Sequence, residues 1–132
     1  MNRREAEKLL KELNEGRLIT NEMFQGLDID SYLDKRDDPA FADEWMRAYG
    51  KWVQDADSIA EDELLRASRE QAFKQTLHHT GHPELAGYVS DDIGLIGAAM
   101  LQGESEHSFV GQLLESYHNG KLPLLCRGKG GL

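Results

Sequence analysis

The chain is short of cysteine, of cations and of long hydrophobic runs, and each shortage removes a class of protein. Cys126 is the single cysteine among 132 residues, so no internal disulfide can form, and two-cysteine redox pairs and cysteine-based zinc sites are excluded. A reducing compartment fits that usage. The longest stretch without a polar side chain, Ile93 to Leu101, is nine residues, far below the roughly 20 needed to span a bilayer. Met1 to Glu15 is charged and lacks the apolar core of a secretory signal, so a cytoplasmic protein with no membrane partner is expected. Lys and Arg number 15 against 24 Asp and Glu, a net charge of −9. A phosphate backbone would be repelled by that surplus, and no nucleic-acid partner is expected. Sustained period-two alternation of β-branched residues is missing as well, which argues against strands.

What remains is a series of helical patterns joined by short Gly, Pro or Asp connections. Ala6, Leu9, Leu10 and Leu13 share one face of a first helix that Gly16 stops. Thr20 or Asn21 can cap a short turn carrying Met23, Phe24 and Leu27, with Ile29, Tyr32 and Leu33 continuing the pattern. Asp38-Pro39 is a strong start signal, an N-cap followed by proline at N1 where its missing N–H costs nothing. Behind it Ala42, Trp45, Met46, Tyr49, Trp52, Val53 and Ala56 follow helical spacing over four turns, an aromatic stripe expected to face the core. Ser58 and Glu61 form a capping box for a long helix whose inner face is Leu64, Leu65, Ala72, Phe73, Thr76 and Leu77. Pro83 starts a short helix or turn through Val89. Ser90 then reads as the N-cap of a separate central helix, with Asp91 and Asp92 in its first turn, where negative charge is favoured.

The run from Ile93 to Leu101 reads as a helix buried on all sides. Gly94, Gly97 and Ala98 remove bulk from it and let neighbouring helices approach closely. A last helix near Ser105 carries Phe109, Val110, Leu113, Leu114 and Tyr117 to Gly120, and Leu122, Leu124 and Leu125 fold back on the core. The expectation is an all-α fold, a single compact helical bundle or orthogonal helical array of about 5–7 helices around that central helix. Residues 1–126 form one domain and 127–132 a loose C-terminal tail.

Chemistry is sparsely signalled. His78, His79 and His82, with Asp91 and Asp92, are the one combination able to offer a metal-dependent hydrolase or metal-binding site. Gly81 and Pro83 end the helix too soon for His78 and His82 to share a face, and the glutamate of the metalloprotease pattern is replaced by His79. Helix-end electrostatics accounts for His78 and His79 without a metal. The segment Gly94 to Gly97 lacks the Lys-Ser/Thr of a P-loop and the third glycine of a dinucleotide motif. Cys126 has no fixed histidine partner, and Ser108 next to His107 is no nucleophile pair. No catalytic residue and no cofactor is expected.

Charge distribution rises above this background. From Asp28 to Glu63 the sequence holds 12 carboxylates and 4 cations, so −8 of the net −9 lies in this stretch. Asp34, Asp37, Asp38, Asp43, Glu44, Asp55 and Asp57 are the candidate partner-binding residues, a surface able to steer a basic protein onto the chain. Size, helicity and acidity together are analogous to a small regulatory module that covers a basic partner, in the manner of an immunity or antitoxin protein. That analogy comes without a matching motif. The aromatic stripe is also compatible with a homodimer.

Overall fold

The computed structural model describes residues 3–52, 62–102 and 109–124. They form α1 (Arg3–Asn14), a 3-10 turn (Asn21–Phe24), α2 (Ile29–Arg36), α3 (Pro39–Trp52), α4 (Glu63–Thr80), α5 (Pro83–Leu101) and α6 (Phe109–His118), with no strand among the described residues. The fold is all-α. The capping box at Ser58, the helix extension to Val53 and Ala56, the Ser105 start, Leu125, Cys126 and the tail lie outside the described residues, as do Asp55 and Asp57.

Local start and stop signals act where the sequence places them. The Asp38 carboxylate accepts from the Ala40 N–H at 2.9 Å, opening α3. Asp62 caps α4, accepting from the N–H groups of Leu64 and Leu65 at 2.9 and 3.2 Å. Gly81 ends α4 with φ of 67°, the left-handed conformation that glycine adopts without a Cβ penalty. One residue later the His82 imidazole caps α5, its Nδ1 accepting from the Leu85 N–H at 3.2 Å.

The centre of the molecule is the antiparallel pair α4 and α5, with α1, α3 and α6 packed around it. Helix α5 buries Leu85, Ala86, Val89, Ile93, Leu95, Ile96, Ala98 and Ala99. A helix apolar on nearly every side belongs in the interior, and the expected central helix is confirmed. Gly97 is the close-approach point: a Cβ there would run into the Leu65 Cδ2 methyl of α4, and one on Gly94 would stand 2.8 Å from Arg69 Cδ. No helix among the described residues is long and apolar enough to cross a membrane.

Two sequence expectations are corrected. Helix α5 is one element, so Ser90, Asp91 and Asp92 sit in its interior rather than at a helix start. Ser90 Oγ donates instead to the Arg69 carbonyl at 3.1 Å, tying α5 to α4. The stripe on α3 is also rotated. Phe41 and Ala48 are buried and Trp45 and Trp52 are half-buried against the core, whereas Met46 and Tyr49 face outward, 59% and 38% exposed. That rotation brings the Trp45 indole within hydrogen-bonding distance of Asp92 on α5.

Candidate partner-binding cleft over a buried ion pair

Asp92 is completely buried, an arrangement that is costly unless the charge is paired and hydrogen-bonded. Both conditions are met. Its Oδ1 accepts from Arg36 Nη2 at 2.8 Å and from Trp45 Nε1 at 2.9 Å, and its Oδ2 accepts from Arg36 Nη1 at 3.0 Å and from the Tyr117 hydroxyl at 2.7 Å. Arg36 Nη1 also donates to the Tyr32 hydroxyl at 3.1 Å, which in turn donates to the Pro123 carbonyl at 2.8 Å. One carboxylate thereby fastens α2, α3, α5, α6 and the segment after α6. The Arg36 guanidinium is packed among aromatic rings, 4.6 Å from the Phe41 centroid and 5.3 Å from that of Tyr88. Burial opposes its charge, and adjacent Asp92 more than offsets this, so the Arg36 pKa is raised. The network is built to hold helices in register.

Titration of the network follows from the same burial. The Tyr117 hydroxyl is pushed well above its ordinary pKa by burial and by the Asp92 charge, and Tyr32 is raised by burial against the opposing pull of Arg36. A phenol whose folded-state pKa exceeds the ordinary value near 10 stabilises the fold fully below about pH 10. That contribution is lost as pH rises from there towards the folded-state value, at about 1.4 kcal/mol per pH unit for each tyrosine. Urea unfolding midpoints measured from pH 9 to 12 should therefore fall, and Tyr117→Phe should make the fall shallower. An equal slope in that variant would remove Tyr117 from the account.

Above the ion pair lies a cleft of about 170 Å³ lined by Arg36, Phe41, Ala42, Trp45, Met46, Tyr88 and Asp91. Trp45 is held by its bond to Asp92 and stacks on Tyr49, the ring centroids 5.6 Å apart and tilted by 19°. One carboxylate, Asp91, lines the cleft, and a second, Asp37, is bound to Tyr88 of its wall. Asp91 pairs with Arg69 at 3.1 Å with both side chains about half exposed, and Asp37 accepts from the Tyr88 hydroxyl at 2.7 Å. The bond to Asp37 and burial push the Tyr88 phenol up to about 12. The Asp91 carboxyl is raised by burial, with Arg69 pulling the other way.

The candidate partner-binding residues divide by role. Asp34 and Asp43 are exposed, Glu44 pairs with Arg47, Asp38 caps α3, and Asp37 accepts from Tyr88 of the cleft wall. The proposed metal ligands are not gathered. His78 and His79 sit in the last turn of α4 with rings 5.4 Å apart, and His82 caps α5 with Nε2 4.0 Å from Asp30. Asp92 is buried against Arg36, and Asp91 pairs with Arg69 at the surface. No group of three or more His, Cys, Asp or Glu able to hold a metal ion occurs among the described residues. As members of a polar network Arg36, Tyr32, Tyr88 and Tyr117 were not anticipated, although helical spacing places Tyr32 and Tyr117 on inner faces. Arg36 had one signal: it extends the face of Ile29, Tyr32 and Leu33 by helical spacing, where a solvated charge does not belong.

No curated protein matches the chain. A family model described as Immunity protein PIM1 matches residues 8–124, a span that takes in every described helix except the first turns of α1, together with the ion pair and all the residues that line the cleft. A protein-binding role fits both that description and a cleft with apolar anchors at its edge, and the chain belongs to the Immunity protein PIM1 family.

Proposed function

We propose that this chain is a non-enzymatic immunity protein that neutralises a toxin protein by covering it with the acidic surface of α2 and α3, anchored by Met46 and Tyr49. The observation that carries the reading is the outward turn of these two side chains, the large apolar residues left exposed among the described ones, next to Asp43, Glu44 and the cleft. Exposed Met and aromatic side chains amid charged neighbours are the composition of an interface centre with a polar rim. Carboxylates around them favour a basic partner and speed its encounter. The lone cysteine and the acidic composition support a cytoplasmic setting.

The test uses Asp34, Asp43 and Glu44, which hold no buried bond of the fold. At low salt the natural chain should capture a basic protein from a lysate of its source organism and release it as salt rises. The Asp34→Lys, Asp43→Lys, Glu44→Lys variant should hold that protein at least tenfold more weakly, about 1.4 kcal/mol or more. Expressed alone, the captured protein should arrest growth, and co-expression of the natural chain should restore it. Undiminished capture by the variant would sink the acidic-face reading, and a captured protein harmless to cells would sink the immunity reading.

A further inference from the structure

The cleft over the ion pair has a chemistry of its own, distinct from the general acidity of the surface. Its floor is the Arg36 guanidinium, 5% exposed and neutralised by Asp92. Aromatic side chains of Phe41, Trp45 and Tyr88 make its walls, Met46 stands at its edge, and Asp91 is the carboxylate that lines it. Resting on the partner-binding reading above, we propose that this cleft takes one arginine or lysine side chain of the protein partner, its stem against Trp45 and Met46 and its cation on Asp91.

Three observations select that occupant. Asp91 and its present partner Arg69 are both about half exposed, the kind of surface pair that contributes little and exchanges readily. An apolar side chain would remove water from Asp91 and leave it only the half-exposed Arg69 as partner, and an acidic one would add repulsion from Asp91 and from Asp37 beside Tyr88. A long basic side chain satisfies both halves of the site, since its methylenes bury on apolar surface while the charged head meets the carboxylate and the aromatic faces. The floor does not repel it. Arg36 is covered by the Phe41 and Tyr88 rings and its charge is cancelled at 2.8 Å by Asp92.

The test titrates the ¹⁵N-labelled full chain with Nα-acetyl-arginine amide and Nα-acetyl-lysine amide, with the norleucine and glutamate analogues as controls. Expected are saturable shifts of the Trp45 indole N–H and of the Met46 and Asp91 amides with the basic probes, at least fivefold weaker binding to Asp91→Asn, and weaker binding of both controls. Norleucine binding as well as arginine, binding indifferent to Asp91→Asn, or no shift at these three residues would each overturn the inference. Asp91 is an exposed surface carboxylate, so its amide variant is expected to fold, which the rest of the spectrum checks directly. The wider reading stands or falls separately. A chain that captures its partner through Asp34, Asp43 and Glu44 while its cleft ignores arginine keeps the acidic face and loses the cleft.

Discussion

Replacing Asp92 by alanine should destabilise the protein by about 3–5 kcal/mol, the range for breaking a buried ion pair by removing one partner. The loss comes from what is left behind. Arg36 would keep a buried charge with no counter-ion, and the Trp45 N–H and Tyr117 hydroxyl would lose the acceptor each now uses. With typical stabilities of 5–15 kcal/mol, such a loss would consume a large part of the total. Urea denaturation of the two singles and the double supplies the decisive comparison. Arg36→Met with Asp92→Leu should cost less than Asp92→Ala alone, because no charge is stranded. A double variant as damaged as the sum of its singles would mean that the pair holds the fold through more than charge compensation.

The second large effect belongs to Gly97. Gly97→Val should destabilise by about 1–3 kcal/mol, as overpacking in a filled core does. A Cβ at this position would collide with Leu65 Cδ2, and Leu65 is itself 2% exposed, so the methyl has little room to retreat. Leu65→Ala should cost about 2–5 kcal/mol on its own by leaving a cavity. Combined, the two should cost less than their sum by more than about 0.5 kcal/mol, since valine would refill the space that leucine vacates. Strict additivity would show that the α4 and α5 contact at Gly97 is looser than described. Gly94 offers the contrast: its neighbours are Cγ, Cδ and Nε of the half-exposed Arg69 side chain, which can shift towards solvent, so Gly94→Ala should be nearly neutral.

These two residues also show how far the sequence could be read. Gly94 and Gly97 inside an apolar run signal close packing because glycine costs helix propensity and something must compensate. Asp38-Pro39 and Gly81 were legible for a similar reason, each being a local conformational preference that the tertiary structure leaves alone. Ser90-Asp91-Asp92 misled because the same three residues satisfy a local rule and a long-range one. As an isolated peptide they resemble a helix start, but Ser90 has an acceptor in the Arg69 carbonyl and Asp92 a cation in Arg36, 56 positions away. Nothing local distinguishes a capping aspartate from one that meets an arginine across the core.

The candidate site was half legible in the same way. The acidic stretch was visible as composition, yet its members do different things. Asp28 and Asp38 are helix caps, Asp37 holds Tyr88, and Asp34 and Asp43 are left facing outward. The cleft was not visible, because it depends on the rotation of α3, which goes with burial of Phe41 and Ala48 and an indole hydrogen bond to a buried carboxylate. Without knowing that Asp92 is buried, helical spacing alone places Met46 and Tyr49 with the tryptophans.

That rotation divides the labour of α3 between two sides of one helix. Phe41, Trp45 and Ala48 hold the fold, while Asp43, Met46 and Tyr49 face outward. Surface substitutions away from structural features usually stay within about 0.5 kcal/mol. Substitutions on the outward side of this helix should therefore leave stability nearly unchanged, while the inward side goes on folding the same protein.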